Sequence, residues 1–225
     1  MEVRIVVLNG SMKIDIWSDY VCPFCTVGER HLALALEKFA GADDVEITWR
    51  SFQLDPSAPK EPTEKAPEYL ARSKGMSMAE VEQMNSGLAE RAAAVGLDFQ
   101  WRDSVMANTF DAHRVAHLAR GAGKGNEWDA VVKHGYFTEG GNVADHGELA
   151  EFAAQVGLDA SRVQEVLSSD EYATDVAQEI AIGRQLGVQG VPFFVFDGRL
   201  AVSGAQPVEL FEQALQQASE NPDAR

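Results

Sequence analysis

Apolar and polar residues alternate along Lys13-Ile14-Asp15-Ile16-Trp17, the two-residue period of a half-buried strand. The period then changes. Val27-Gly28-Glu29-Arg30-His31-Leu32-Ala33-Leu34-Ala35-Leu36-Glu37-Lys38-Phe39 is a run of good helix formers. Gly41-Ala42-Asp43-Asp44 ends that helix in a turn, and Val45-Glu46-Ile47-Thr48-Trp49-Arg50 alternates again. Strand, helix and strand in so short a span imply a right-handed parallel unit. Three prolines between Asp55 and Pro62 mark a boundary loop. From about residue 63 to about 187 the pattern is helical. Ser77-Met78-Ala79-Glu80 is a capping box that opens a helix ending near Val95-Gly96. Further helices are predicted over about 108–120, 127–138, 146–156, 160–168 and 171–186, most followed by glycine. Val95-Gly96-Leu97-Asp98 returns as Val156-Gly157-Leu158-Asp159, one C-cap used twice rather than a repeat. Strand character returns at Pro192-Phe193-Phe194-Val195-Phe196, Asp197-Gly198 signals a tight hairpin, and Arg199-Leu200-Ala201-Val202-Ser203 runs back. A last helix places Val208, Phe211, Ala214, Leu215 and Ala218 on one face, ahead of an acidic tail from about residue 219.

Both cysteines of the chain fall where the first strand gives way to the first helix, in Ser18-Asp19-Tyr20-Val21-Cys22-Pro23-Phe24-Cys25. Residues three apart on a helical turn share a face, with Cβ atoms roughly 5–6 Å apart. A disulfide needs about 3.5–4.5 Å, so a small adjustment closes the bond. The start of a helix offers unpaired N–H groups and the positive end of the dipole, so Cys22 is expected to be the thiolate. Cys25, one turn further in, is expected to be shielded and to act as the resolving thiol. Pro23 suits the first helical position, where its missing N–H costs nothing. Zinc would need two more ligands, and there is no second Cys-x-x-Cys, so redox chemistry is the reading and no metal is expected.

Composition narrows the setting. A chain of 225 residues, 45% hydrophobic, supports one large domain or two small ones. Its formal net charge of -16 argues against nucleic acid and against anionic membrane surfaces as partners. No apolar run approaches the ~20 residues of a membrane span. The apolar stretch within Met1–Met12 is short for a secretory signal and lacks a small-residue cleavage site. Two cysteines leave no structural disulfide framework, and a cytoplasmic protein is expected.

Other candidates weigh less. His113 and His117 are one helical turn apart, but no glutamate or third ligand accompanies them, and they read as helix-surface residues. His31 reads as a bystander. Gly121-Ala122-Gly123-Lys124-Gly125 mimics a phosphate loop but follows a helix, and reads as a flexible connection.

Without its helical middle, the chain is strand–helix–strand followed by hairpin–helix, an α/β arrangement that resembles the thioredoxin fold with a large all-helical insertion. Gly187-Val188-Gln189-Gly190-Val191-Pro192-Phe193-Phe194-Val195 resembles the Gly-Val-x-Gly-Val-Pro-x-Phe element of the DsbA family. Asp19-Tyr20-Val21-Cys22-Pro23-Phe24-Cys25, Phe52-Gln53-Leu54-Asp55-Pro56 and Asn108-Thr109-Phe110-Asp111-Ala112-His113-Arg114 resemble its FrnE-like branch. The likeness spans about residues 12–218. It implies a discontinuous thioredoxin-like domain (12–60 and 188–218), a helical insertion (61–187) and terminal extensions (1–11 and 219–225). It also implies a cis Val191-Pro192 peptide facing the cysteines, with the Val191 backbone free to pair with substrate. Asn108, His113 and Arg114 would border the active site. The implied activity is thiol–disulfide exchange on protein or small-molecule thiols and disulfides, as a reductase or isomerase, by a monomer or homodimer. No organic cofactor is required, and glutathione is a candidate co-substrate. Pro23 and Phe24 would tune the pair, and Pro-Phe departs from the Pro-His of periplasmic DsbA. The alternatives are a glutathione-dependent isomerase or transferase of the hydroxychromene-carboxylate isomerase and kappa classes, which use a serine near the first cysteine position, and a redox-sensing interaction module.

Overall fold

The computed structural model describes residues 11–220, so most of the two predicted terminal extensions lies outside the described residues. Four strands form one sheet in the order β2-β1-β3-β4: β1 (Met12–Ser18), β2 (Val45–Ser51), β3 (Phe193–Phe196) and β4 (Leu200–Ser203). β1 pairs parallel with β2 and antiparallel with β3, and β3 pairs antiparallel with β4. Asp197 and Gly198 both take positive φ (48° and 67°), the tight hairpin that their sequence predicts. The helices are α1 (Pro23–Leu36), α2 (Ala66–Lys74), α3 (Met78–Ala94), α4 (Phe110–Gly121), α5 (Gly125–Phe137), α6 (His146–Gln155), α7 (Ala160–Leu167), α8 (Ala173–Gln185) and α9 (Val208–Ser219). α1 lies between β1 and β2, α9 follows β4, and the other seven fall between β2 and β3. The fold is the thioredoxin-like α/β arrangement with inserted helices that the sequence implies.

Burial follows the periodicities. Ile14 and Ile16 of β1 face α1 and α9 and share a core with Leu32, Phe194, Phe196, Phe211 and Leu215. Trp17 points to the opposite face, where its Nε1–H donates to the Glu179 carbonyl of α8 (2.9 Å). Gly183, one turn along α8, lies so close that a Cβ there would come within 2.7 Å of the indole. The inserted helices bury their own core, including Trp128, Val132, Tyr136, Leu149 and Val163, and Tyr20 and Val21 plug into it from the loop after β1.

The repeated helix end is one solution, as expected. Leu97 N–H bonds to the Ala92 carbonyl and Leu158 N–H to the Ala153 carbonyl, both at 3.0 Å, with Gly96 and Gly157 at φ 79° and 76°. The glycine-rich stretch after α4 is not the loose loop expected. Only residues 122–124 separate α4 from α5, and Lys124 N–H closes the turn onto the Ala119 carbonyl at 2.8 Å. Two sequence expectations about histidines are corrected here. His113 and His117 are buried (4% and 8% exposed), because α4 is enclosed by the sheet and its sister helices.

His117 belongs to a polar cluster that joins the inserted helices to the sheet. The Glu179 carboxylate accepts from Arg50 of β2 (3.0 Å), Arg120 of α4 (3.0 Å), the Ser51 backbone N–H (2.9 Å) and His117 Nε2–H (3.2 Å). Arg120 also donates to His117 Nδ1 (2.8 Å), which leaves Nε2–H as the histidine's donor. Burial works against the charge of Glu179. The hydrogen bonds from His117 and Ser51 and the Arg120 cation outweigh it, and they hold the carboxyl far below the usual range.

Removing that carboxylate takes away the acid that Arg120 pairs with, while Arg50 keeps its second partner, Asp15, at 2.7 Å, and both cations are about a third exposed. Glu179→Gln should therefore cost about 1–3 kcal/mol, the range for unpairing a buried polar group and below that for breaking a fully buried ion pair. The sign with pH follows. The folded-state value is depressed, so this stabilisation is complete above the unfolded value of about 4.3 and is lost as pH falls below it. Urea midpoints at pH 7 and pH 3 should differ less for Glu179→Gln than for the wild type.

Candidate active site

Cys22 is the N-cap of α1 (φ -94°, ψ 106°), Pro23 opens the helix, and its first turn carries no acidic residue to offset the positive end. Cys22 N–H bonds to the Asp19 carbonyl (3.1 Å), and Cys25 N–H to the Cys22 carbonyl (3.0 Å). Both thiols are free and buried, Cys22 2% and Cys25 0% exposed. Cys25 is the deeper, as the sequence predicts. The near-complete burial of Cys22 comes from the loop before β3: its Sγ–H donates to the Val191 carbonyl at 3.5 Å. Burial first, then the hydrogen bond with Cys22, pushes the Cys25 thiol well above its ordinary value.

The Val191–Pro192 peptide is cis, and the loop rests on α1 at Gly28. A Cβ there would meet Pro192 Cγ at 2.9 Å, the Ala205 backbone at 3.2 Å and Phe194 at 3.3 Å. Hydrogen at this position lets the proline loop reach the cysteines. His31, one turn further, joins Gln206 on the same side (Nδ1 to carbonyl, 2.6 Å), a structural tie rather than a group aimed at the thiols. Phe24, between the cysteines, is 40% exposed, and the Arg91 guanidinium of α3 sits 5.7 Å from its ring centroid. No local pattern around Phe24 or Arg91 signals that an inserted helix brings a cation to this residue.

Behind the thiols lies a buried charged cluster that sequence reasoning missed. The Lys133 ammonium of α5 donates to Ser18 Oγ (3.0 Å), to Asp129 (2.7 Å) and to Glu29 of α1. It also lies 4.7 Å from the Trp49 ring centroid. Lys133 and Glu29 have 3% and 11% of their side chains exposed. Burial, reinforced by the Asp129 charge, pushes the Glu29 carboxyl up to about 8 despite the ammonium beside it. The charges of Glu29 and Lys133 both reach Cys25, the first raising it and the second lowering it. One signal was available: Asp129 and Lys133 are an i, i+4 pair on the face of α5 that also buries Trp128, Val132 and Tyr136.

The Asn108-Thr109-Phe110-Asp111-Ala112-His113-Arg114 motif divides. His113 faces the site through Asp19 (Nε2 to Oδ1, 3.4 Å) and packs on Tyr20 with ring centroids 4.8 Å apart. The other Asp19 oxygen accepts from Leu54 N–H (2.8 Å). Asn108 braces the loop after β2, accepting from Gln53 (3.2 Å) and donating to the Pro56 and Ala58 carbonyls. Arg114 points away, pairing with Asp111 (2.8 Å) and capping the carbonyls at the end of α7. It does not border the cysteines.

A dithiol at the start of α1, a proline loop set against it and helices inserted between β2 and β3 define a thioredoxin-fold protein of the DsbA type. The chain belongs to the DSBA-like thioredoxin domain family, which matches residues 13–216. It is similar to a probable DsbA oxidoreductase from Streptomyces coelicolor, 40% identical over 93% of this chain and 91% of that one, with a TM-score of 0.89. At 14% identity it shares its fold with a 2-hydroxychromene-2-carboxylate isomerase (TM-score 0.71, covering 95% and 99% of the two chains). At 16% identity it shares it with the cytosolic disulfide reductase DsbM from Pseudomonas aeruginosa, solved with GSH (TM-score 0.59, covering 91% and 98%).

Gly28→Ala tests how tightly α1 and the proline loop are fitted. The added methyl meets backbone at Ala205, so the loop must shift; the expected cost is about 1–3 kcal/mol, the usual range for overpacking. Thermal melting should report the loss, and Cys22 should become more accessible to alkylation by iodoacetamide.

Proposed function

We propose that the chain is a thiol–disulfide oxidoreductase working through Cys22-Pro23-Phe24-Cys25. The observation that carries this reading is the asymmetry of the two thiols. Cys22 stands at the N-cap of α1 under the Val191 carbonyl of the proline loop, whereas Cys25 lies one turn further in, fully enclosed, with its thiol pushed well above its ordinary value. The Cys22 thiolate attacks one sulfur of a substrate disulfide, forming a mixed disulfide and releasing the other sulfur as a thiolate. Cys25 then loses its proton and attacks Cys22, the intramolecular disulfide forms, and the second substrate thiol departs. The Glu29 carboxyl, pushed up to about 8 and with its charge reaching Cys25, can take that proton only when ionised, a form that grows as pH rises toward 8.

Val191 and Pro192 form the substrate edge in this reading. Proline offers no N–H for a ladder, and the Val191 backbone beside Cys22 is placed to pair with an extended chain. Support for a reducing role in the cytoplasm, with glutathione returning the pair to the dithiol, comes from the likeness to DsbM and its bound GSH. The isomerase neighbour favours a second reading, glutathione-dependent isomerisation. Cys25 argues against it, since that class works from a serine near the first cysteine position and lacks the pair.

Insulin-disulfide reduction with glutathione or dithiothreitol is the direct test. Cys22→Ser should abolish turnover. Cys25→Ser should accumulate mixed disulfides on non-reducing gels, since nothing remains to resolve them. Trapping by Cys22→Ser instead would reverse the assignment, and no turnover with either reductant would favour a sensor or the isomerase.

A second outcome concerns Phe24. It offers neither the charge nor the hydrogen bond of a histidine, so equilibration with glutathione should give a potential nearer thioredoxin's about -270 mV than DsbA's about -120 mV. Phe24→His should move it toward the oxidising end. A wild-type potential already near DsbA's would assign the poise to other groups, Arg91 first among them.

A further inference from the structure

A cavity of about 460 Å³ opens between α1, the β2 edge, the end of α3 and α5, within the usual ligand range of about 300–1,000 Å³. It takes Pro23, Thr26 and Glu29 from α1 but neither cysteine, nor Val191 or Pro192, so it adjoins the dithiol without including it or its substrate edge. Leu32, Trp49, Leu97, Phe99 and Phe137 make its walls apolar. Its inner end is not. Glu29, Asp129 and Lys133 form the floor, and Thr26 lines the same space with a buried hydroxyl that has no hydrogen-bond partner.

That floor holds two carboxylates to one ammonium, and the three Lys133 protons are already committed to Ser18, Glu29 and Asp129. One carboxyl therefore has no cation of its own and holds a proton instead, so an apolar barrel ending in that carboxyl and an unpaired hydroxyl suits an amphiphile whose cationic end can take the proton's place. We propose that this cavity binds a small arylalkyl amine, its ring between the apolar walls and its ammonium on the Glu29–Asp129 floor. The raised titration of Glu29 agrees: burial and Asp129 make it keep a proton that a bound cation would replace. The groups facing Glu29 are Ser18 of β1, Asp129 and Lys133 of α5, and Tyr20 and Cys25. None of these observations depends on the exchange reaction, and the site stands whether or not that reading does.

The test uses the full chain and three probes of similar size: 1-naphthylmethylamine, neutral 1-methylnaphthalene and anionic 1-naphthoate. Calorimetry should show the amine binding once per chain, at least tenfold tighter than either comparator at pH 8. Its affinity should rise severalfold from pH 6 to pH 8 as Glu29 gives up its proton, and His134→Gln, removing the titratable group at the rim, should leave that rise intact. Ala33→Phe and Ala130→Leu project new carbon into the cavity from helix positions that are not fully buried, and each should weaken the amine at least tenfold with melting unchanged. If one fails to fold, the other decides. Equal affinity for the three probes, binding indifferent to the filling variants, a pH trend that vanishes with His134→Gln, or no saturable binding would each overturn the proposal.

Discussion

The position of the Lys133 ammonium is the constraint on which the rest depends. It is a charge inside the protein, and taking such an ion out of water costs several kcal/mol unless partners surround it. Its partners come from three elements: Ser18 ends β1, Glu29 stands on α1, and Asp129 is one turn back on α5. Satisfying this cation therefore fixes α5 against both elements that carry the dithiol. The same arrangement sets the field around Cys25, since two of those groups act on its proton. Packing of the insertion and electrostatics of the site are one arrangement of atoms.

Much of the frame was legible in the sequence because it rests on local rules. Period-two alternation marked β1 and β2, and the Ser77 capping box marked the start of α3. The Asp197-Gly198 pair marked the hairpin because only a few residue types adopt its backbone. The cysteines were legible because their spacing and their place at a helix start are sequence properties. The proline loop was legible only through the family motif. What failed was nearly all long-range and polar. His117 and His113 read as surface residues because periodicity shows which face of a helix is apolar, and says nothing of a polar face buried by another element. Their partners, Glu179 and Asp19, lie on distant segments. Glu29, Lys133 and Arg91 escaped for the same reason.

The two polar clusters divide the work of holding the inserted helices. Glu179 and its arginines tie α4 and α8 to β2 on one face of the sheet, and Lys133 ties α5 to β1 and α1. Between them the loop after β1 threads Tyr20 and Val21 into the helical core, with Asp19 held by His113 and Leu54 N–H. The segment leading into Cys22 is thus gripped from both sides, and the helices are part of the site's architecture rather than an appendage to it.

The contact at Gly28 has a mechanical consequence. With Pro192 Cγ, Ala205 and Phe194 all against the hydrogen face of that residue, α1 and the proline loop have no room to slide past one another. Residues on adjacent helical turns stand roughly 5–6 Å apart at Cβ, and a disulfide requires about 3.5–4.5 Å. The missing ångström or so cannot be found by translating the helix. It falls instead to the torsions of Cys22, the one member of the pair with non-helical backbone angles. In the exchange proposed for this pair, Cys22 would be the hinge and Cys25 the anchor, one residue cranking against a stationary frame.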